Sequence, residues 1–238
     1  AINSRSRTSR RMLIGYVTRY FGLKRPRPFG LLNIDGSPAD SRGAGILEPM
    51  MKVATLSEML EEVVRLGEAT GTGEQSHELR GELEGRLATV RAAVAGATVP
   101  RVIALERLYE PVRVAGFWVP EMIAIAGGED VAGDPGLGPA EVSWGELGGL
   151  RPDIVIIMVE GYLEDVQAQA MEVWEHIESL GAGRIYAVAA QSSFSDPGPR
   201  LIDGVELAGH LLHPDLMDAP GNTPFTLLRS PAPRTAKT

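Results

Sequence analysis

The pattern of hydrophobic and polar positions changes character near residue 99. Beyond it, short apolar runs alternate with segments in which apolar residues recur every three or four positions. The short runs indicate strands and the three-to-four period indicates helices. The predicted strands are 101–106, 113–116, 154–159 and 184–188, and the predicted helices lie near 119–127, 144–149, 163–180 and 199–213. This alternation predicts an α/β unit in which helices cover both faces of a mostly parallel sheet.

Two long helices are predicted ahead of this region. Residues 55–58 have the Thr-x-x-Glu spacing of a capping box, and apolar residues at helical spacing follow it to position 66. A second helix is predicted over 74–95, with leucines and valines along one stripe. The glycine-rich stretch 67–73 between them lacks the lysine of a phosphate-binding loop, so it is interpreted as a helix end.

Composition predicts less order at the two ends of the chain. Residues 1–46 are predicted to be a basic, poorly structured segment, and 215–238 a flexible tail rich in proline. The stretch 47–98 holds the two helices, and 99–214 forms the α/β unit. The chain has no cysteine, so neither a disulfide nor a thiolate metal site is available.

Charge is distributed unevenly. The net charge is −8, yet residues 1–34 contain eight arginines and lysines and no acid, which leaves about −16 on the remainder (8 subtracted from −8). The favoured interpretation of this basic arm is a solvated leader or the remains of an export signal, although the apolar stretch 12–17 is too short for an intact one. The alternative is an arm that binds acidic partners or RNA, but no nucleic-acid partner is expected.

Motifs of catalysis are missing from the sequence. There is no Gly-x-Ser-x-Gly elbow, no His-Glu-x-x-His pair and no lysine-bearing phosphate loop. His210 and His213 have no further metal-binding residue at ligand spacing, so we interpret them as histidines at a helix end. The acidic stretch 128–134 lacks the alternating ligands of a calcium loop and is interpreted as a surface turn. The sequence therefore predicts a protein that is not an enzyme.

Three loops of the predicted α/β unit could bind a ligand. Ligands of open α/β sheets lie beyond the carboxyl ends of the strands, where the loops 116–121, 160–162 and 192–200 are expected. Aromatic side chains flanked by small residues could wall a large, flat ligand, or could instead be core residues that cap the sheet. Trp144 and Trp174 are predicted to be core or helix-packing residues. The candidate ligand residues are Gly116, Phe117, Trp118, Glu160, Gly161, Tyr162, Ser193, Phe194 and Arg200.

The motifs in these loops resemble one protein family. The string Gly-Phe-Trp-Val-Pro-Glu at 116–121 and the string Pro-Gly-Pro-Arg-Leu-Ile-Asp-Gly-Val-Glu-Leu at 197–207 are similar to the cobalamin-binding branch of class III periplasmic binding proteins. That family delivers cobalamin, haem or ferric siderophores to ABC importers. The resemblance covers about residues 47–214, and no first lobe of the family is recognisable before them.

The resemblance implies a fold, a function and a location. It implies a Rossmann-like, three-layer carboxyl-terminal lobe preceded by bridging helices, with the first lobe truncated or missing. The implied function is substrate binding for ABC-type import of cobalamin or a related corrinoid, in a whole binding protein or a remnant of one. The implied alternative ligands are haem and a ferric siderophore. The ligand would be the corrinoid itself, with no cofactor required, and the location would be outside the cytoplasm.

Two further expectations concern partners. The family usually has a surface carboxylate two residues after the serine of its Val-Ser motif, which docks onto transporter arginines. Here Gly145 takes that place and Glu146 follows it, so docking through Glu146 is an open expectation. Without a complete first lobe, the bridging helices are expected to self-associate through their apolar stripes. The alternative to transport is an interaction protein that uses the basic arm.

Overall fold

The computed structural model describes residues 53–190, 193–221 and 223–229. These residues divide into two compact units, one made of Val53 with Ser57–Glu84 and the other of Ala54–Leu56 with the described residues from Gly85 onward. The predicted basic segment 1–46 lies outside the described residues.

Helices α1 and α2 occupy the region in which two long helices were predicted. Helix α1 spans Leu56–Thr70 and α2 spans Gly73–Ala93. The chain turns at Gly71, whose φ of +76° strains any residue with a side chain. Helices α1 and α2 approach each other closely beside this turn, since a Cβ on Gly67 would lie 2.2 Å from the Cβ of Ser76. The predicted helices and the predicted helix end are confirmed.

In the described part of the chain, the second unit contains one sheet of seven strands. These are β1 (Arg101–Arg107), β2 (Val112–Val114), β3 (Glu129–Asp130), β4 (Ala140–Val142), β5 (Ile154–Ile157), β6 (Arg184–Val188) and β7 (Phe225–Arg229). Their order is β4-β2-β1-β5-β6-β7, and β3 pairs with the start of β1. Strands β1, β5, β6 and β3 run parallel, whereas β2 and β7 run antiparallel to their neighbours β1 and β6. Sequence predicted four of these strands, within two residues at each end.

Helices connect the strands and cover the sheet. They are α3 (Val119–Ile125), α4 (Trp144–Gly149), α5 (Leu163–Glu172), α6 (Trp174–Ser179) and α7 (Leu201–Leu212). The single helix predicted over 163–180 is interrupted at Val173, where φ is −117° and ψ is 22°. The other three helices predicted for this unit are confirmed with small shifts at their ends.

Strand β5 lies at the centre of the core. All four of its residues are buried, as expected for a strand covered on both faces. On one face, Val155 and Ile157 belong to a cluster with Trp144 of α4 and Val166 of α5. Trp174 is partly buried against the same cluster, so the predicted packing roles of both tryptophans are confirmed.

The prediction of a flexible tail over 215–238 was wrong for its first part. Strand β7 pairs with β6 from Val188↔Phe225 to Ile185↔Arg229, and the ring of Phe225 meets the rings of Tyr186 and His210 edge-on. Composition predicted disorder because prolines lie on both sides of this strand. Without β7, however, β6 would be an edge strand with unpaired backbone donors and acceptors. Residues 230–238 lie outside the described residues.

The prediction of a surface turn over 128–134 also needs correction. Glu129 and Asp130 form β3, with Arg101 and Val102 of β1 as their parallel partners. Acidic residues are rare in strands, so propensity favoured a turn. The backbone of β1 supplies the pairing, since the amide of Val131 donates to the oxygen of Val102.

Candidate functional site

The carboxyl ends of β1, β5 and β6 meet at one edge of the sheet. These strands are parallel and in register, with Ile157 of β5 between Leu105 of β1 and Ala187 of β6. The described segments that follow them are 108–111 and 158–162, together with 189–190 and 193–200. Loops at such an edge are the usual place for a ligand in an open α/β sheet. We call this group of segments the ligand edge.

The loop that begins at Gly116 does not follow one of these parallel strands, contrary to the expectation. It follows β2, which is antiparallel to β1, and the amide of Ala115 bonds the oxygen of Ala104 in the middle of β1. The loop therefore does not leave the carboxyl end of a parallel strand. At Gly116 the loop packs closely against the backbone that precedes β4, since a Cβ there would lie 2.5 Å from the backbone nitrogen of Pro139.

Trp118 and Phe194 join two of the predicted loops: the first loop, which begins at Gly116, and the third loop, which ends at Arg200. The indole Nε1 of Trp118 donates a hydrogen bond of 2.6 Å to the backbone oxygen of Phe194. The two residues are 7% and 3% exposed. Their burial favours the core alternative for both, so their side chains are not available as walls for a ligand. Their role in this structure is to fix the two loops to each other.

Phe117 is presented to solvent by a strained backbone. It is 39% exposed, and its φ of +54° lies in the left-handed region that side chains disfavour. Two backbone hydrogen bonds hold it: its amide donates to Leu137 at 2.5 Å, and its oxygen accepts from Gly136 at 2.9 Å. An exposed aromatic held in such a conformation is typical of a binding surface.

The loop after β5 presents a second aromatic. Tyr162 is 77% exposed, and Glu160 beside it is exposed as well. Gly161 has a φ of +141°, which only glycine adopts readily. The amide of Tyr162 donates to the carboxylate of Asp165, which anchors the start of α5. Tyr162 is thus held at its backbone and free to contact a ligand through its ring.

Charged groups of the second and third loops interact. Burial raises the pKa of the Asp196 carboxyl, the positive charge of Arg200 opposes that rise, and the negative charge of Glu160 adds to it. The carboxyl of Asp196 is therefore influenced by the charges of Glu160 and Arg200, both predicted site residues. Sequence reasoning missed Asp196, although its place between an aromatic and the Pro-Gly-Pro-Arg string was an available signal.

Ser193 has a structural partner. Its hydroxyl is buried and lies 2.7 Å from the hydroxyl of Thr223, just before β7. This bond connects the third loop to the last strand, so the side chain faces the protein interior rather than the ligand edge.

Charged and polar residues after β1 are a second feature that sequence reasoning missed. The hydroxyl of the exposed Tyr109 donates to the carboxylate of Glu172 at 2.6 Å, and this bond raises the pKa of the phenol. Burial raises the pKa of the Glu106 carboxyl, while the guanidinium of Arg113, 3.3 Å away, opposes the rise. The signal was the change from apolar to charged residues at the end of β1.

The carboxyl group of Asp130 has a strongly perturbed pKa. Burial raises its pKa to about 6, even though its Oδ1 accepts from the amides of Ala132 and Gly133. Its Oδ2 is buried and has no hydrogen-bond partner among the described residues. The same turn approaches the first loop, since a Cβ on Gly133 would lie 2.7 Å from the oxygen of Ala115.

Glu146 is engaged in helix capping. Its carboxylate accepts from the amide and hydroxyl of Ser143, and the Ser143 hydroxyl accepts from the amide of Glu146. These bonds lower the pKa of the Glu146 carboxyl. The residue is exposed, and its role in docking stays a prediction.

Metal binding and membrane insertion find no support in the described residues. No group of three or more histidines and acids is placed to hold a metal ion there. His210 and His213 bond backbone oxygens, of Met217 at 2.8 Å and of Gly127 at 3.2 Å. Within the same residues, no helix has the length and apolar character needed to cross a membrane.

Solved structures of binding proteins resemble this one. An ABC transporter substrate-binding protein from Listeria monocytogenes EGD-e aligns with a TM-score of 0.61 and 19% identity, over 68% of this chain and 66% of its own. The haem complex of IsdE from S. aureus aligns at 0.57 and 19%, over 68% and 66%. The periplasmic vitamin B12 binding protein BtuF of Vibrio cholerae aligns at 0.54 and 18%, over 67% and 62%.

The chain has the class III binding-protein fold. The fold implied by the resemblance in the loop motifs is thereby confirmed. At 18–19% identity these structures establish the fold alone, and the alignments span 62–66% of the length of the binding proteins compared. No model of a known protein family matches the sequence, and no curated protein matches it.

Proposed function

We propose that this chain binds a large, flat metal chelate as part of a substrate-binding protein of an ABC importer, without catalysing a reaction. Within that class, we propose cobalamin or a related corrinoid as the ligand. The observation that carries the proposal is a pair of exposed aromatics on loops whose backbones are fixed: Tyr162 at the ligand edge, and Phe117 on the neighbouring loop that Trp118 joins to Phe194 of that edge. Rigid aromatic side chains offer a large contact area at a low cost in conformational entropy.

Structural neighbours support the general class. They include proteins described as binding vitamin B12 and haem and as serving Fe³⁺-hydroxamate transport. The loop motifs favour a corrinoid among these ligands. Mixed charges at Glu160, Asp196 and Arg200 suit the amide side chains of a corrin, because amides both donate and accept hydrogen bonds.

Titration calorimetry with cyanocobalamin tests the proposal on the full chain. We expect saturable binding at one site, together with a shift in the visible spectrum of the corrin. Phe117→Ala and Tyr162→Ala should each weaken binding about 5- to 100-fold, the range for stacked aromatics. Leu216→Ala is a matched control, because Leu216 is also a large exposed apolar residue and follows the far end of α7. Equal binding by all three variants would contradict the assignment of the ligand edge.

Haem is the second candidate, and the exposed hydroxyl of Tyr162 favours it. A tyrosine oxygen can serve as the axial ligand of haem iron. Titration with hemin followed in the Soret region would distinguish the candidates. If haem is the ligand, Tyr162→Phe should change the Soret band and weaken binding, whereas corrinoid binding through ring contact should survive that substitution.

A further inference from the structure

Arg86 makes a bidentate contact outside the ligand edge. It lies on α2, in the part of that helix that belongs to the second unit. Its Nε and one terminal nitrogen donate to the two carboxylate oxygens of Glu206, at 2.8 and 2.6 Å. The same terminal nitrogen donates to Asp203 at 2.6 Å. The paired geometry uses the planar fork of a guanidinium, which a lysine cannot reproduce.

This contact joins two acids of α7 that would otherwise repel each other. Asp203 and Glu206 are three residues apart and therefore neighbours on one helix face. Both are partly shielded from solvent, and their hydrogen bonds raise the pKa of Arg86. The guanidinium thus neutralises the two carboxylates and fixes the face of α7 that turns toward α2.

The position of α7 in turn determines the position of the third loop. A Cβ on Gly204 would lie 2.0 Å from the backbone oxygen of Ser193, so helix and loop are in direct backbone contact. The first amides of α7, those of Leu201 and Ile202, donate to Gly198 and Pro199 in that loop. A shift of the helix along its axis would therefore displace Arg200 and Asp196.

We infer that Arg86 is a positioning residue for the ligand edge, acting through α7 on the loop that carries Asp196 and Arg200. The expected effect of Arg86 on ligand affinity rests on the proposed function. Its effect on the position of α7 does not. Arg86 does not need to contact the ligand. Its role is to hold α7 where the third loop presents its charged side chains.

Hydrogen exchange on the full chain tests the structural part. Arg86→Gln should accelerate exchange of the amides of Leu201, Ile202 and Gly204 about tenfold, as expected from the loss of charge-assisted hydrogen bonds. The amides of Asp165 and Val166 at the start of α5 are internal controls, because they bond Tyr162 and have no connection to Arg86. Equal acceleration at both helix starts would indicate general destabilisation and overturn the inference.

Three further variants sharpen the result. Arg86→Lys keeps the charge without the fork and should show an intermediate effect. The exchanged pair Arg86→Glu with Glu206→Arg should return the exchange rates toward those of the wild type. Arg80→Gln removes an exposed arginine of the same helix that pairs with Glu84, and should leave the α7 amides unchanged. An effect of Arg80→Gln as large as that of Arg86→Gln would overturn the inference.

Measuring the affinity for cyanocobalamin tests the functional part of the inference. We expect Arg86→Gln to weaken binding about tenfold at unchanged stoichiometry, and Arg86→Lys to weaken it less. If the wild type fails to bind cyanocobalamin, the proposed corrinoid ligand is wrong, and the exchange rates still decide the role of Arg86. If the wild type binds and Arg86→Gln binds equally well while α7 exchanges faster, Arg86 positions the helix without affecting the ligand, and the inference is wrong.

Discussion

Trp118 donates its indole N–H to the backbone oxygen of Phe194, 2.6 Å away and 76 residues further along the chain. The bond is buried, and it connects the turn before α3 to the loop after β6. A sequence shows both aromatics as candidates for a ligand wall. In the structure both side chains are buried, and the hydrogen bond between the two residues holds the two loops together.

Removal of this hydrogen bond should cost stability. Trp118→Phe leaves the oxygen of Phe194 buried without its donor, and we expect a loss of about 1–3 kcal/mol in the free energy of unfolding. Trp118→Ala should cost more, about 3–5 kcal/mol, because it also leaves a cavity. Urea denaturation measures both. A Trp118→Phe variant as stable as the wild type would mean that another donor satisfies the Phe194 oxygen.

Phe117 should show opposite effects on stability and binding. Phe117→Gly relieves the strain of a positive φ, so we expect the melting temperature to stay the same or rise, with a gain of up to about 1 kcal/mol. Ligand affinity should fall, since the exposed ring is gone. Phe117→Ala is the matched control, because it loses the ring and keeps most of the strain. A clear loss of stability in Phe117→Gly would show that the ring packs against the protein.

Asp130 should make stability depend on pH between about 4 and 6. Its pKa is raised in the folded protein from 3.8 to about 6, so the folded state binds the proton more tightly than the unfolded state. The resulting stabilisation is fully present below about pH 4 and is lost as the pH rises through 6. For a shift of about two units, its size is on the order of 3 kcal/mol.

Urea denaturation of Asp130→Asn across this pH range isolates the effect. The variant should lose less stability than the wild type as the pH rises from 4 to 7. Glu106 and Asp196 also have raised pKa values, so they contribute in the same direction to both proteins and cancel in the comparison. Parallel stability profiles would show that Asp130 titrates normally in the folded protein.

Truncation distinguishes strand β7 from the residues that follow it. A chain ending at Arg229 should keep its melting temperature within about 2 °C, because composition offers no core-forming run beyond it. A chain ending at Pro224 lacks the partner of β6 and should be clearly destabilised, with Tyr186 and His210 losing their contact with Phe225. Thermal unfolding followed by circular dichroism measures both. Equal stability of the two chains would mean that β7 contributes little to the sheet.

Sequence alone determined the central architecture. The apolar run at β5, the alternation around it and the periodic residues of α1 and α2 fixed the element types, because burial on two faces and burial on one face leave different periods. The loop motifs correctly indicated the binding-protein fold. Short strands such as β3, and β7 among its prolines, were missed because backbone pairing with a neighbouring strand outweighs their weak local propensity.

The site depended more strongly on tertiary structure. Sequence placed Phe117, Tyr162, Glu160 and Arg200 on loops. The structure leaves the two rings exposed there, and both charged groups influence the pKa of Asp196. The sequence could not show that Phe117 is exposed and Trp118 is buried. Adjacent aromatics have the same local pattern, and they differ only in which one a neighbouring loop covers. The contact of Arg86 with α7, 120 residues away from Glu206 in sequence, has no local signature at all. Long-range contacts of this kind are decided by the packing of whole elements, so only the folded chain contains them.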